Sequence, residues 1–320
     1  MSLSNIFNLV YNELLKIFIR KSTWVLYGFL TLIIIASGFF AYFAGNERTA
    51  NYTDEGWQEE LRQENEEIGA NAEEDIFMLG FNIERMSEND YYLENDLKPV
   101  SYGAGQFVAD ASFMISIVSL LTVIIAGGIV ANEFRWGTIK LLLIRPYSRG
   151  MILFAKYVGV LSFAIITLLY VTVLGWIVGL IFFGFDGFNP QVIILENGSH
   201  RYESVVLALL TDYGYGLVSL IMMATLAFMI SSVFRNSTLA ISISIIILLS
   251  GSTITLILSR YEWSKYLLFA NLNLRQYEEG GRVAIEGMTL PFSITVLAVY
   301  YVVFIVLAWW VFGRRDVAGD

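Results

Sequence analysis

Residues 111–178 read ASFMISIVSLLTVIIAGGIVA (111–131), NEFRWGTIKLLLIRPYSRGMILFAK (132–156) and YVGVLSFAIITLLYVTVLGWIV (157–178). The first and last pieces hold no charged residue, and each is long enough, at about 1.5 Å per residue, to cross a hydrocarbon layer of roughly 30 Å. The piece between them carries Arg135, Lys140, Arg145, Arg149 and Lys156 against one acid, Glu133. Two apolar spans joined by a short basic connector describe a membrane hairpin whose connector faces the cytoplasm.

The pattern repeats outward in both directions. Further spans are expected at Trp24–Phe43, Tyr215–Phe234, Thr238–Leu258 and Pro291–Phe312, giving six. The chain of 320 residues is 56% hydrophobic and only 15% charged, against about 25% charged in an ordinary soluble domain, which rules out a pair of soluble domains. The expected fold is all-α: a polytopic membrane protein of six helices. The run Met151–Phe185 has Lys156 as its only charge and would measure about 52 Å as one helix, so a break or an interfacial tail is expected near Gly175–Gly179. The four prolines, at 99, 146, 190 and 291, fall outside the spans or in the first turn of the last one, where a missing N–H costs nothing.

Lysine and arginine in the short flanks set the orientation: Lys16, Arg20 and Lys21 precede the first span, Arg235 separates the fourth from the fifth, and Arg314 and Arg315 follow the last. Both termini and segment 132–156 are therefore expected in the cytoplasm, and segment 44–110, with 17 acids, outside. Segment 259–290 runs against this rule, because Arg260, Lys265, Arg275 and Arg282 sit in an outward loop. No cleavable signal peptide is evident, so the first span stays.

Residues 1–23 form an amphipathic stretch, with Ile6, Val10, Leu14 and Ile17 on one side and Asn12, Glu13, Lys16 and Arg20 elsewhere. It reads as a helix lying in the membrane interface; the alternative is a plain extension of the first span. Two helices are expected in 44–110, the second applying Ile76, Leu79, Ile83 and Met86 to the membrane face or to a partner chain.

Catalytic signals are lacking. The chain has no cysteine, a single histidine (His200), no GxxxxGK[ST] phosphate loop, no HExxH and no GxSxG. ATP hydrolysis, metal chemistry and covalent catalysis are not expected of this chain, nor is nucleic-acid binding. Asp212, 22 residues before Phe234 and so about 33 Å from the far end of its helix, is expected at the outer interface. The spacing GWIVG at 175–179 suits close helix contact.

Segment 132–156 is more organised than a connector needs to be. Gly137 and Thr138 open an apolar run, Ile139–Ile144, which Arg145, Pro146 and Arg149 close. This order describes a short rigid peg at the membrane surface. Glu133, then GTIKLLLIRPYSR, then a lysine at the start of the next span resembles the signature of the permease subunits of type-2 ABC exporters. The N-terminal NELLKIF, ahead of a basic turn and a first span, is similar to the start of the same family, and the six-span layout agrees over essentially the whole chain. The resemblance implies that 132–156 is a coupling loop docking on a separate ATP-binding subunit, with Glu133, Gly137, Thr138, Ile139, Lys140, Leu142, Arg145, Pro146 and Arg149 at the contact. It also implies a second permease chain, ATP and magnesium held by the partner ATPase, no cofactor on this chain, and residence in a bacterial cell membrane. The 67-residue segment 44–110 exceeds that of the simplest members, so small-substrate relatives do not indicate the cargo. Two other classes compete: a membrane sensor or immunity protein that binds a ligand through the acidic segment, and a polytopic membrane enzyme, which the missing catalytic constellation disfavours.

Overall fold

The structure, a computed structural model, describes residues 3–44, 56–71, 79–99, 102–139, 147–196, 199–234, 236–278, 283 and 285–314. Among these, six helices are long and apolar enough to cross a membrane. In chain order the elements are α1 (Leu3–Phe18), α2 (Lys21–Ala44), α3 (Trp57–Asn71), α4 (Leu79–Glu94), α5 (Ala104–Asp110), α6 (Met114–Ile129) and α7 (Ala131–Arg135). Then follow α8 (Arg149–Phe183), a hairpin of β1 (Gln191–Glu196) and β2 (Ser199–Ser204), α9 (Val205–Val233), α10 (Ser237–Leu258), α11 (Leu268–Leu272) and α12 (Leu290–Arg314). The six crossing segments are α2, α5–α7 taken together, α8, α9, α10 and α12. The all-α, six-span expectation is thus met.

Two compact units divide the chain. Unit 1 comprises Met1–Ile33, Ser112–Leu174 and Leu210–Asp320; unit 2 comprises Ile34–Ala111 and Gly175–Leu209. The charges follow the same division: unit 2 holds 20 acids and 5 bases, unit 1 holds 9 acids and 15 bases.

Unit 1 is built on helix contacts that small residues permit. Gly127 lets α6 approach α10 so closely that a Cβ there would meet the Ile241 Cα at 3.2 Å. Where α6 gives way to α7, the N–H groups of Val130 and Ala131 both donate to the buried Ser231 Oγ at 3.1 Å, which satisfies backbone donors at the break. Hydroxyl pairs knit α8 to its neighbours: Tyr27 with Thr167 at 2.8 Å, Thr31 with Tyr170 at 2.6 Å, and Thr172 donating to Tyr213 at 2.7 Å. Such bonds contribute about 0.6 kcal/mol each between membrane helices. Asn236 starts α10 by accepting from the Thr238 and Leu239 N–H groups, and Pro291 sits in the first turn of α12.

Segment 259–290, expected as a plain loop, is folded among its described residues. Short 3₁₀ turns at Glu262–Tyr266 and Leu274–Tyr277 flank α11. Phe269 lies on Gly251, seven residues before the end of α10, and Asn271 accepts from Ser293 in the first turn of α12 at 2.6 Å. The buried Asn271 amide in turn donates to the Lys265 and Leu267 carbonyls.

In unit 2, α3 and α4 pack on each other through Asn65 with Asn89 and Asp90, and through Arg85 with Glu64 at 2.7 Å. Their apolar core is Trp57, Leu61 and Tyr92, which Ile193 of β1 completes. The side by which α4 packs on α3 was not foreseen: Asn89 and Tyr92 are buried, while Ile83, expected to face the membrane or a partner chain, is exposed and Ile76 lies outside the described residues. The β-hairpin was not foreseen either. Its strands pair antiparallel from Gln191 with Ser204 to Glu196 with Ser199. No break occurs at Gly175–Gly179, because α8 runs unbroken through it; Gly179 instead admits α5, the Ala104 Cα lying 3.0 Å from where a Cβ would stand. That spacing therefore serves close contact, as GWIVG suggested.

Candidate functional site

The lysine near the start of α8 is the centre of a buried charge cluster in unit 1. Lys156 is 1% exposed, and its Nζ donates to Glu13 Oε2 of α1 and to Glu133 Oε1 of α7, each at 2.8 Å. Lys16, one turn beyond Glu13 on α1, reaches Glu13 Oε1 at 2.7 Å and Glu133 Oε1 at 3.4 Å. Two lysines and two glutamates leave the cluster formally neutral, the condition under which buried charges are tolerated. Burial raises the Glu13 carboxyl, but the Lys156 and Lys16 ammonium groups outweigh it and hold Glu13 below the usual carboxylate range.

Local sequence explains why these groups meet. On α1, Leu9, Glu13 and Ile17 recur at spacings of four and form the buried face, while Phe7 and Tyr11 are exposed. The face is thus rotated from the one read in the sequence, and Glu13, placed there on the polar side, is at its centre. Gly159 on α8 allows this approach: a Cβ there would lie 3.2 Å from the Glu13 Cβ. The bend from α1 to α2 is held by Thr23 Oγ1 and Trp24 Nε1, which donate to the Ile17 and Phe18 carbonyls at 2.6 and 2.8 Å. These carbonyls are otherwise orphaned at the helix end.

The cluster reaches directly into segment 132–156. Thr138 donates its hydroxyl to Glu133 Oε2. Gly137 takes a φ of +70°, a left-handed turn that favours glycine, and places Thr138 back toward α7. The Arg20 guanidinium lies 5.2 Å from the centre of the exposed Trp136 ring, a second link from the α1–α2 bend to this segment. At the other end, Arg149 Nη1 donates to the Gly313 carbonyl at 3.3 Å. Ile139, expected at a partner contact, is 4% exposed and belongs to the core of unit 1, so it anchors the segment to its own chain. Lys140, Leu142, Arg145 and Pro146 lie outside the described residues. Of the expected contact residues, the structure brings Glu133, Gly137, Thr138 and Ile139 together and holds Arg149 at the end of α12. Glu13, Lys16 and Lys156 complete the site; the signal that could have found them is Lys156 itself, a lone charge in 35 apolar residues.

A second buried charge lies on α9. Asp212 is 2% exposed and pairs with Arg275 from the 3₁₀ turn after α11, while Ser112 donates to its other oxygen. His200 lies on β2 beside the Tyr91 ring, 5.6 Å between centroids. Among the described residues, no three or more His, Cys, Asp or Glu side chains are grouped to hold a metal ion.

Comparison with known proteins places this chain in a family. The model for "Protein of unknown function (DUF2705)" matches residues 76–318. The chain is 42% identical over 315 residues to the "Uncharacterized protein YhcI" of Bacillus subtilis (strain 168), covering 97% of this chain and 99% of that one. It is 35% identical over 203 residues to the "Uncharacterized membrane protein YdbK" of the same organism, covering 63% and 78% respectively. The six apolar helices and the second relative agree on a multi-pass membrane protein.

Proposed function

We propose that this chain, which belongs to the DUF2705 family, is the permease subunit of an ATP-driven exporter of the type-2 ABC kind, coupled through segment 132–156 to a separate ATP-binding subunit. The observation that carries the reading is the Glu13–Lys156–Glu133 cluster with Thr138 bound to it. It ties three pieces of the resembling sequence, NELLKIF, the start of the loop and the lysine of the next span, into one rigid joint. A joint of this kind gives a partner that pushes on the loop a direct hold on both α1 and α8. In this reading both termini and the loop face the cytoplasm of a bacterial cell, ATP and magnesium belong to the partner, and a second permease chain completes the path.

The sensor reading has one observation in its favour, the acidic unit 2 with a small core of its own around Trp57, Leu61 and Tyr92. The two readings separate in a single experiment. The full chain, isolated from its native membrane under mild conditions, is assayed for vanadate-sensitive hydrolysis of Mg-ATP, and again after the co-isolated proteins are stripped away. An exporter subunit gives hydrolysis that leaves with the partner. A sensor gives none in either state, and hydrolysis by the stripped chain contradicts both.

A further inference from the structure

The turn from α10 to α11 carries exposed side chains that the proposed coupling does not use. Tyr261, Trp263 and Tyr266 are all exposed there, and the Trp263 ring stacks on Tyr261 at 6.0 Å between centroids. The turn lies where α10 ends at Leu258, and the Tyr266 ring meets Phe292 in the first turn of α12 edge-on, 5.5 Å between centroids. Exposed tryptophan and tyrosine at the ends of two membrane-crossing helices fit the boundary between headgroups and acyl chains. The turn is also built: Ser264 Oγ donates to the Tyr261 carbonyl, and the Asn271 amide holds the Lys265 carbonyl.

Of the basic residues that break the orientation rule in this segment, Arg282 lies outside the described residues and the other three have separate explanations. Arg275 is held by Asp212. Arg260 and Lys265 form no ion pair among the described residues; Lys265 Nζ lies 5.6 Å from the centre of the Tyr266 ring, which keeps the ammonium at the level of the aromatics. Glu262, exposed in the same turn, leaves it one net positive charge. We propose that this turn seats the phosphate of an anionic phospholipid carrying a single negative charge, with Arg260 and Lys265 holding the phosphate and the three rings lying against the upper acyl chains. The proposal stands apart from the exporter reading.

The test reconstitutes the full chain in nanodiscs with photoactivatable phosphatidylglycerol or photoactivatable phosphatidylcholine and maps the labelled peptides. Phosphatidylglycerol is expected to label the peptide around 259–266 in preference to phosphatidylcholine. In R260Q/K265Q that labelling should fall by about fivefold for each charge removed, while R260K/K265R keeps it. Labelling of α2 by phosphatidylcholine reports that the variants remain folded, and the lipid preference of the unaltered chain decides the matter if they do not. Equal labelling by the two lipids, labelling indifferent to R260Q/K265Q, or loss of labelling to excess inorganic phosphate would each overturn the proposal.

Discussion

Lys156 neutralises two carboxylates at once, so its removal differs in kind from removal of the whole cluster. Lys156→Met leaves Glu13 and Glu133 buried with only the half-exposed Lys16, and breaking a buried pair costs about 3–5 kcal/mol. The triple variant Lys156→Met, Glu13→Gln, Glu133→Gln leaves no uncompensated buried charge and should regain most of the loss, as read by denaturant midpoint in detergent. The pH dependence follows from Glu13. Its carboxyl is depressed in the folded chain, so it stabilises the fold above its ordinary value of 4.5, and that contribution is lost as pH falls below it. The stability difference between the unaltered chain and Glu13→Gln should therefore shrink on acidification below 4.5. Asp212 and Arg275 behave asymmetrically, because Asp212 is buried whereas the Arg275 side chain is 30% exposed. Arg275→Gln strands a buried carboxylate and should destabilise more than Asp212→Asn, which strands a guanidinium that water can reach; equal losses would argue against this ranking.

At the scale of elements, glycine positions separate contact from exposure. Gly179→Leu would force α8 away from the Ala104 backbone, at about 1–3 kcal/mol for overpacking, whereas Gly28→Ala on α2 meets nothing within 4 Å and should be neutral or stabilising by up to about 1 kcal/mol. Thermal midpoints of the two variants should move in different directions or by clearly different amounts. The six spans were legible because apolar length is a property of sequence alone. The α3–α4 pair was legible as two helices, but its packed side was not: Asn65 and Asn89 bury amides against each other, and a polar pair of this kind is invisible to hydrophobic periodicity. The same limit hid the true face of α1, since Glu13 is buried only because Lys156 awaits it on α8. The β-hairpin rests on QVIILE followed by a polar strand, a run too short to separate from helix by period. The fold of 259–278 depends on Phe269 finding Gly251 and Asn271 finding Ser293, long-range matches that local reading does not contain.

For the molecule as a whole, the charge division between the two units is the sequence feature with the widest consequence: 15 bases in unit 1 and 20 acids in unit 2. With short basic flanks setting orientation, a single cysteine at Asn65 of this cysteine-free chain should react with an impermeant thiol reagent in intact cells, and one at Lys140 only after permeabilisation. Reaction of both from one side would contradict the six-span orientation. The central claim, coupling to an ATP-binding subunit through segment 132–156, is tested most directly by crosslinking from Leu142→Cys in native membranes with a thiol-to-amine reagent and identifying the adduct. The account predicts a chain carrying a GxxxxGK[ST] loop, whose co-isolated ATP hydrolysis is lost in Leu142→Asp while the six spans still insert. An adduct only with lipid or with proteins lacking that loop, together with unchanged behaviour of Leu142→Asp, would contradict it.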